Sequence, residues 1–474
     1  MRPWKTGFLL LVTLVATMGL WHRYKPLPDG LDFRGKLQPA SDLSLLVDDT
    51  WVDSHEQRHS RQQIFDEYFR LIRQAQQLVV VDMFLYNDFQ GTPPETLRRL
   101  SQQLTDTLLA KRRDNPALPM VVITDPINTL YGGLIDPQLE LLRQAGITVV
   151  MTRLPALRDS NPSWSGLWRL CCQWLGNSPY KGWLPNPLGP GRVTLRSYLT
   201  LPNFKANHRK TLVVDEGDQW TALVTSANAH DGSSAHSNIG LRFSGPAALD
   251  VLHTELAVAR FSGATLPAMP ATQAETDMQT PEQIQVLTEA AIRDALINAI
   301  DEAGPNEALD VSVFYLSHRP LVEALLAARQ RGVTLRVLLD PNKDAFGRQK
   351  NGIPNRQVAW ELHRAGIPVR WCNTHGEQCH TKMLLRRSDS QAELILGSAN
   401  YTRRNLDNLN LESSVRVVAS PETAVMEQAG TAFDRRWHNR HGEYHSVPYD
   451  EYADESVLKY WLYRAMEFTG WSSF

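Results

Sequence analysis

The sequence has few cysteines and no excess of either charge. Its 474 residues include only four cysteines, too few for the disulfide scaffold of a small secreted domain. Lysine and arginine number 49 against 51 aspartate and glutamate, whereas a protein that mainly holds long nucleic acid usually carries a basic excess. With 42% apolar and 21% charged residues, the composition excludes fibrous, disordered and multi-span membrane proteins and allows two to four domains.

One long apolar run stands near the N-terminus. Residues 7–21 carry no charge and have basic residues on both sides. A spanning helix needs about 20 apolar residues and a signal-peptide core has roughly 7–15, and the length of this run falls between the two cases. No A-x-A-like cleavage site follows it, and Trp4, Trp21 and Tyr24 bracket it as interfacial aromatics do. We therefore predict an uncleaved single-pass anchor over 1–30, with the body outside the cytoplasm; a removed signal is the alternative.

Beyond the anchor, strands alternate with helices in the same order twice. Predicted strands cover 77–86, 119–124 and 147–152 in the first series and 309–316, 332–339 and 367–371 in the second. Both series pass through an A-G-I turn, at 145–147 and 365–367. This alternation predicts an α/β protein of two tandem repeats, each a mixed sheet flanked by helices.

The predicted domain boundaries follow from these repeats. The first repeat covers 31–263 and contains a Trp-rich insertion over 153–205. A Pro-, Ala- and Thr-rich linker covers 264–281, the second repeat covers 282–440, and an aromatic tail covers 441–474.

Alignment of the two repeats with each other identifies chemically reactive residues at matched positions in both. At a constant offset of 172, residues 208–240 share eight identities with 380–412, where chance gives about two. The matched pairs include His208 and His380, Lys210 and Lys382, Ser226 and Ser398, Asn228 and Asn400, and Asn238 and Asn410. A histidine and a lysine two apart on a strand point to the same face, so two such units can bring both pairs to one cleft.

This set of side chains suits a phosphodiester. One neutral imidazole can attack phosphorus and become covalently attached, while the other donates a proton to the leaving alkoxide. The lysines and asparagines can stabilise the charge that develops on the non-bridging oxygens. Nothing in the set requires a metal or another cofactor, because it holds no carboxylate cluster.

These paired motifs resemble the phospholipase D superfamily, whose signature H-x-K-x4-D followed by G-S-x-x-N occurs twice per chain. Among its members the sequence is most similar in appearance to bacterial cardiolipin synthases, which implies an inner-membrane location. The resemblance implies a pseudo-twofold pair of repeats with the site between them, His208 as the nucleophile and His380 as the general acid and base. It implies further roles: catalytic for Lys210, Lys382, Asn228, Asn400 and Glu412, substrate-binding for Ser226 and Ser398, and structural for Asp215.

Three positions depart from the superfamily pattern, and the first is Thr225, which stands where the first motif usually has glycine. Arg387 stands where the second motif has its aspartate. An acidic residue is expected about thirty positions after each histidine to orient it, and Glu412 fits this role for His380. The aligned position in the first repeat is Gly240, so His208 needs another acceptor, either Asp231 or a group from the other repeat.

Two aromatic segments and the cysteines allow more than one interpretation. In the insertion, Trp164, Leu167, Trp168, Cys171, Trp174 and Leu175 fall on one helical stripe. The stripe and the tail around 457–471 predict either docked helices or surfaces that enter the lipid headgroup layer. Cys372 and Cys379 could form a disulfide, while Cys171 and Cys172 are predicted to be ordinary apolar helix residues.

The function predicted from these features is transfer or hydrolysis of a phospholipid headgroup phosphodiester through a phosphohistidine. The partners are then a phospholipid substrate and the bilayer surface. An alcohol acceptor such as phosphatidylglycerol gives cardiolipin, and water gives phosphatidic acid. The alternatives are a nuclease that uses the same cleft on DNA or RNA, which the near-neutral charge disfavours, and an inactive scaffold, suggested by Gly240 and Arg387.

Overall fold

The computed structural model describes residues 3–91, 94, 96–269, 280–345 and 348–474. Its helices are α1 (Pro3–Tyr24), α2 (Ile64–Gln74), α3 (Leu100–Asp114), α4 (Pro137–Gln144), α5 (Pro162–Cys171), α6 (Leu195–Thr200), α7 (Pro246–Phe261), α8 (Ala290–Asp301), α9 (Arg319–Gln330), α10 (Asn355–Arg364), α11 (Arg403–Leu406), α12 (Ala424–His438) and α13 (Val457–Thr469).

The strands before residue 264 are β1 (Gln38–Pro39), β2 (Ser41–Val52), β3 (Arg58–Arg61), β4 (Val79–Met83), β5 (Tyr86–Asn87), β6 (Met120–Thr124), β7 (Thr148–Met151), β8 (Leu184–Pro185), β9 (Arg192–Val193), β10 (Lys210–Glu216), β11 (Gln219–Thr225), β12 (Ala229–His230) and β13 (Asn238–Ser244). Those after residue 280 are β14 (Gln283–Thr288), β15 (Ala308–Val313), β16 (Thr334–Leu339), β17 (Asp344–Ala345), β18 (Arg348–Gln349), β19 (Val369–Cys372), β20 (Lys382–Arg387), β21 (Ala392–Gly397), β22 (Ser413–Ala419) and β23 (Ser446–Pro448).

Two mixed sheets share one topology. The first contains the order β2-β13-β11-β10-β4-β6-β7 and the second the order β14-β22-β21-β20-β15-β16-β19. In each, the last three strands run parallel and the other neighbouring pairs run antiparallel. The predicted α/β fold, with two repeated units of mixed sheet and flanking helices, is confirmed.

The two sheets are held together by a shared apolar core. Strand residues of both sheets, such as Val213 and Leu385, belong to one buried cluster together with one face of α7 and of α12. The outer face of the first sheet packs on α2, α3 and α4, and the outer face of the second on α8, α9 and α10. Both faces of each sheet are therefore covered, which explains why the central strands are almost continuous runs of apolar residues.

Asp215 fixes the turn that leads into β4. Its carboxylate accepts the backbone N–H groups of Gln76, Gln77 and Leu78 at 2.9, 2.7 and 3.0 Å. In the second repeat, Arg387 in β20 instead pairs with Asp310 in the neighbouring β15. The loss of the motif aspartate is thus compensated by an ion pair between two adjacent strands.

The insertion forms a short helix that packs against the N-terminal helix. A Cβ atom added to Gly19 of α1 would lie 2.6 Å from the carbonyl oxygen of Pro162, and one added to Gly166 of α5 would lie 2.4 Å from that of Val15. Such close packing needs glycine on both helices. The predicted stripe does not continue as one helix, because α5 ends at Cys171 and leaves Trp174 beyond it.

All four cysteines form disulfides. Cys372 is joined to Cys379, as the sequence allowed. Cys171 is joined to Cys172, so the expectation that these two are ordinary helix residues was wrong; α5 ends between them, and the chain there is free to bring the adjacent sulfur atoms together. Of the predicted linker, residues 270–279 lie outside the described residues.

Replacement of Asp215 tests its structural role. In the variant Asp215→Ala, three N–H groups of the turn lose their acceptor, so we expect the free energy of unfolding to fall by roughly 3 kcal/mol. Denaturant unfolding in detergent, followed by circular dichroism, measures this change. The exposed Asp218, three residues along the chain, provides the control, since Asp218→Ala should change little. Equal stability of the two variants would contradict the assigned role.

Candidate active site

Both motif histidines line one cavity between the two sheets. The cavity has a volume of about 1080 Å³, and His208, His380, Asn228 and Asn400 contribute to its wall. His208 lies two residues before β10 and His380 two residues before β20, and these are central strands of their sheets. The chain thus delivers the two imidazoles from opposite halves of the molecule to the same space.

Each histidine segment pairs with the opposite repeat. The backbone N–H of His208 donates to the carbonyl of Leu411 at 2.8 Å, and that of His380 donates to the carbonyl of Ser237 at 2.7 Å. Leu411 and Ser237 both lie just before the first residues of β22 and β13. The residue after each carbonyl is therefore placed beside the imidazole of the other repeat.

Glu412 consequently faces His208. Its carboxylate lies 2.9 Å from Nδ1 of His208 and also accepts hydrogen bonds from Ser398 and Asn405. The prediction that Glu412 orients His380 was wrong, because the pairing of Leu411 with the first repeat carries the next residue across the cleft. The other proposed acceptor, Asp231, instead accepts hydrogen bonds from the N–H and hydroxyl of Ser101.

Asn238 takes the corresponding position beside His380. Its Oδ1 lies 3.1 Å from Nδ1 of His380 and accepts a hydrogen bond from the hydroxyl of Ser226 at 3.0 Å. These contacts match those of Glu412 with His208 and Ser398. The structural counterpart of Glu412 is therefore Asn238 and not Gly240.

A difference in loop length explains why constant spacing missed this match. Asn238 follows its serine by 12 residues, whereas Glu412 follows its serine by 14. Strand pairing shows the same difference in loop length, since Thr225 pairs with Gly240 whereas its counterpart Gly397 pairs with Ser414. The second repeat holds two extra residues between the motif asparagine and the next strand, so the constant offset fails there.

Ser226 and Ser398 support the orienting groups from behind. Both are fully buried, and neither is among the described residues that line the cavity. Each hydroxyl holds the side chain that orients a histidine, and a role of these serines in substrate binding stays a prediction.

The motif lysines are fixed by their own segments. Nζ of Lys210 donates to the carbonyl of His208 at 2.5 Å, and Nζ of Lys382 donates to that of His380 at 2.7 Å. Each ammonium group therefore stays beside the imidazole of its own motif. Of the motif asparagines, Asn228 accepts the N–H of Leu85 at 3.3 Å, while Oδ1 of Asn400 is buried with no hydrogen-bond partner among the described residues.

Two phenylalanines complete the matched environment. Phe84 lies 4.8 Å from the ring of His208 and 5.0 Å from Nζ of Lys210. Phe314 lies 5.1 Å from the ring of His380 and 5.3 Å from Nζ of Lys382. The sequence analysis missed both, although each directly follows the strand, β4 or β15, that pairs with the motif strand of its repeat.

Burial disfavours the charged forms of the motif histidines and lysines. It lowers the pKa of His208 to about 4, against the opposing effect of Glu412, and lowers the pKa of His380 well below its usual range. Burial likewise lowers the pKa of Lys210 to about 7 and that of Lys382 far below its usual value. Because an anion favours the protonated forms, the positive charge of the site develops fully only when a phosphate binds.

Comparison with known proteins agrees with this geometry. Residues 296–437 match the family model described as "Cardiolipin synthase, PLD-like domain". None of the curated proteins matches the chain. Phosphatidylserine synthase from Haemophilus influenzae Rd KW20 gives a TM-score of 0.53 at 11% identity, over 95% of this chain and 97% of that chain. The phospholipase D family member Nuc from Salmonella typhimurium is 22% identical over 33% of this chain and 95% of that chain, with a TM-score of 0.28.

The fold and the paired histidine–lysine motifs define an enzyme of the phosphodiesterase and phosphatidyltransferase class. Residues 296–437 are thus similar to the phospholipase D-like domain of that family. The family match covers the second repeat, which holds His380, Lys382 and Glu412, and the likeness to the Haemophilus synthase shows that the whole chain shares that fold.

The lowered pKa of Lys210 predicts a specific pH dependence. In the free enzyme its ammonium group loses a proton as the pH rises through about 7, whereas a bound phosphodiester raises that pKa. We therefore expect kcat/KM to fall above about pH 7 and kcat to fall only at higher pH. Lys210→Arg provides the comparison, because a guanidinium stays charged and should remove the fall in kcat/KM. Identical pH profiles for the two enzymes would contradict this assignment.

Exchange of the orienting groups tests their roles. Asn238→Asp places a carboxylate beside His380 and should raise its pKa; because His380 must be protonated to act as the general acid, the alkaline limb of the kcat/KM profile should move upward by roughly one to two pH units. Glu412→Gln keeps the shape but removes the charge beside His208, and should reduce kcat by about 10- to 100-fold. Steady-state kinetics across pH measure both effects. An unshifted alkaline limb in Asn238→Asp would show that this side chain does not control His380.

Proposed function

We propose that this protein is a membrane-anchored phosphatidyltransferase or phospholipase D, which cleaves a phospholipid headgroup phosphodiester through a covalent phosphohistidine. One observation carries the proposal. Two histidines from matched repeats, each with a lysine two residues on, line a single cavity, and one of them has a buried carboxylate partner. The family model matched by the second repeat is described as a cardiolipin synthase domain, which supports a phospholipid substrate.

The first half-reaction begins at His208. With Nδ1–H held by Glu412, the lone pair of Nε2 attacks phosphorus, so that a P–N bond forms while the P–O bond to the leaving alcohol breaks. His380, protonated in the presence of the anionic substrate, donates its proton to the departing oxygen. Lys210, Lys382 and the motif asparagines stabilise the charge on the non-bridging oxygens.

The second half-reaction reverses these roles. Neutral His380 accepts the proton of an incoming hydroxyl as its oxygen attacks phosphorus. The P–O bond forms, the P–N bond breaks, and His208 returns to its neutral state. An alcohol acceptor completes a transfer, and water completes a hydrolysis.

The unequal partners of the two histidines favour His208 as the nucleophile. A phosphorylated imidazole that keeps its Nδ1 proton carries a positive charge, which the carboxylate of Glu412 stabilises. The amide of Asn238 offers His380 a hydrogen bond without a full charge. This arrangement suits a group that alternates between acid and base.

Incubation with phosphatidylglycerol liposomes tests the proposed reaction. We expect cardiolipin or phosphatidic acid from the native enzyme by mass spectrometry, and no product from His208→Ala or His380→Ala, because each variant lacks one half of the proton and phosphoryl transfer. The exposed His55 provides the control, and His55→Ala should remain active.

A parallel incubation with single-stranded DNA completes this test. Cleavage of DNA with no change in the lipid would support the nuclease alternative instead. Full turnover by either histidine variant would contradict the two-histidine mechanism.

We further propose that the enzyme rests on the inner-membrane surface through more than its N-terminal helix. α1 is long and apolar enough to cross a membrane, and its second half packs on α5 through Gly19 and Gly166. Since α1 spans only about 33 Å at 1.5 Å per residue, insertion of its apolar part brings α5 to the bilayer surface.

Exposed aromatic side chains near α5 support this orientation. Trp174, just after α5, is 77% exposed, and Trp461 and Phe468 on α13 are 63% and 79% exposed. The end of α13 adjoins α5, because the indole of Trp471 donates to the hydroxyl of Ser163 at 2.9 Å. Aromatic side chains of this kind favour the headgroup layer.

Photocrosslinking of the full chain in liposomes tests this surface. When p-benzoylphenylalanine replaces Trp174 or Trp461, we expect covalent adducts with lipid, because both side chains enter the headgroup layer. The same replacement at Leu141, which is exposed on α4, serves as the control and should give few adducts. Equal labelling at all three positions would contradict the proposed orientation.

A further inference from the structure

A buried arginine lies inside the first histidine–lysine motif. Arg209 stands between His208 and Lys210, and because side chains alternate along a strand, it points away from the face that carries them. Its side chain is fully buried and is not among the described residues that line the catalytic cavity. A guanidinium in such a place is costly unless carboxylates lie beside it.

Arg209 has its closest carboxylate partner in the other repeat. Its Nη2 lies 2.7 Å from Oε1 of Glu289, the residue that directly follows β14, and its Nη1 lies 3.4 Å from Oε2 of Glu255 in α7. Although burial opposes the charge, Glu289 and Glu255 raise the pKa of Arg209 above its usual range. Arg209 and Glu289 therefore form a charged contact between the repeats, and both side chains are fully buried.

Glu289 also holds the residue that orients His208. Its Oε1 accepts the backbone N–H of Glu412 at 3.1 Å, and its Oε2 accepts that of Asp32 at 2.8 Å. Glu412 thus has its main chain fixed by Glu289 while its carboxylate lies 2.9 Å from Nδ1 of His208. A single oxygen atom of Glu289 therefore joins the motif arginine to the backbone of the orienting residue.

An equivalent contact ties the second motif to the first repeat. Thr381 lies within the second motif, and its hydroxyl accepts a hydrogen bond from Nη1 of the buried Arg436 at 2.8 Å. Nε of Arg436 lies 2.7 Å from Oδ1 of Asp49 in β2, and its Nη2 donates to the carbonyl of Asp48 at 3.3 Å. Asp48 pairs in register with Asn238, the orienting residue of that side. A buried arginine–carboxylate pair thus crosses between the repeats behind each orienting group.

We propose that Arg209 and Glu289 are positioning residues for the phosphoryl transfer, which hold Glu412 at the distance from His208 that the reaction requires. Neither is among the described residues that line the cavity, so their effect on the reaction passes through Glu412. The inference rests on the proposed function, in which Glu412 stabilises the charge of a phosphorylated His208. It makes the charged contact between the repeats a condition for correct placement of the nucleophile.

Kinetics of variants of the full chain test this role. The substrate is bis-p-nitrophenyl phosphate, a phosphodiester whose cleavage releases a coloured product. We expect Glu289→Ala, which removes the acceptor, to lower kcat about tenfold or more and to leave KM within about twofold, since the cavity wall is unchanged. Glu289→Gln retains an oxygen for the N–H of Glu412 and should recover most of the kcat.

A double-mutant cycle separates positioning from a purely structural role. If Glu289 acts through Glu412, then Glu289→Ala should reduce kcat less than about twofold when Glu412→Gln is already present. Two independent defects would instead multiply, and that result would overturn the proposal.

Matched variants control for loss of structure. Glu289→Ala leaves the charge of Arg209 buried without its closest partner, which destabilises a fold, whereas Arg209→Met combined with Glu289→Met removes both charges together. This double variant should unfold near the native midpoint and still show the reduced kcat. Arg336 pairs with Asp310 at 2.7 Å within the second sheet and is not among the described residues lining the cavity. Arg336→Met should therefore lower the midpoint of thermal unfolding and leave kcat unchanged.

The other outcomes also decide the matter. Native kcat in Glu289→Ala, or in a folded double variant, would overturn the positioning role. Absence of turnover by the native enzyme with both this diester and phosphatidylglycerol would refute the proposed function instead. A crystal structure of the double variant then tests the contact itself: we expect the carboxylate of Glu412 to leave Nδ1 of His208, and an unchanged distance of 2.9 Å would overturn the inference.

Discussion

The active site depends on two backbone hydrogen bonds that cross between the repeats. The N–H of His208 binds the carbonyl of Leu411, and the N–H of His380 binds that of Ser237. Each of these bonds fixes the backbone next to Glu412 or Asn238, and it therefore also places the side chain that orients the histidine of the opposite repeat. The buried lysines then reach back to the histidine carbonyls of their own strands. The catalytic groups are thus positioned by main-chain geometry, and the shared core beneath the sheets keeps that geometry fixed.

The two halves of the site are alike in position but unlike in charge. Glu412 and Asn238 occupy equivalent places, and each is held by a buried serine. The carboxylate sits beside His208 and the amide beside His380. In the proposed mechanism one imidazole holds a phosphoryl group and the other carries a proton, and a single difference in functional group between Glu412 and Asn238 matches these two roles.

Sequence alone predicted the repeats and the motif residues because both have strong local signals. Alternating strands and helices fix the order of the sheets, and a histidine and lysine two apart on a strand need no tertiary information to share a face. The partners of the histidines were not predictable in this way. Glu412 and Asn238 act across the interface between repeats, and two extra residues in the second loop hide their equivalence from any constant offset. Glu289 was also missed, since a glutamate outside both motifs has no sequence signal that separates a buried ion pair from a solvated surface.

Because each histidine takes its orienting side chain from the other repeat, neither repeat possesses a finished site by itself. His208 is synthesised some two hundred residues before Glu412, the carboxylate that orients it. During translation the first repeat therefore carries an imidazole without its partner. Competence arises only when the second sheet closes over the first, so a chain still emerging from the ribosome lacks a complete catalytic site.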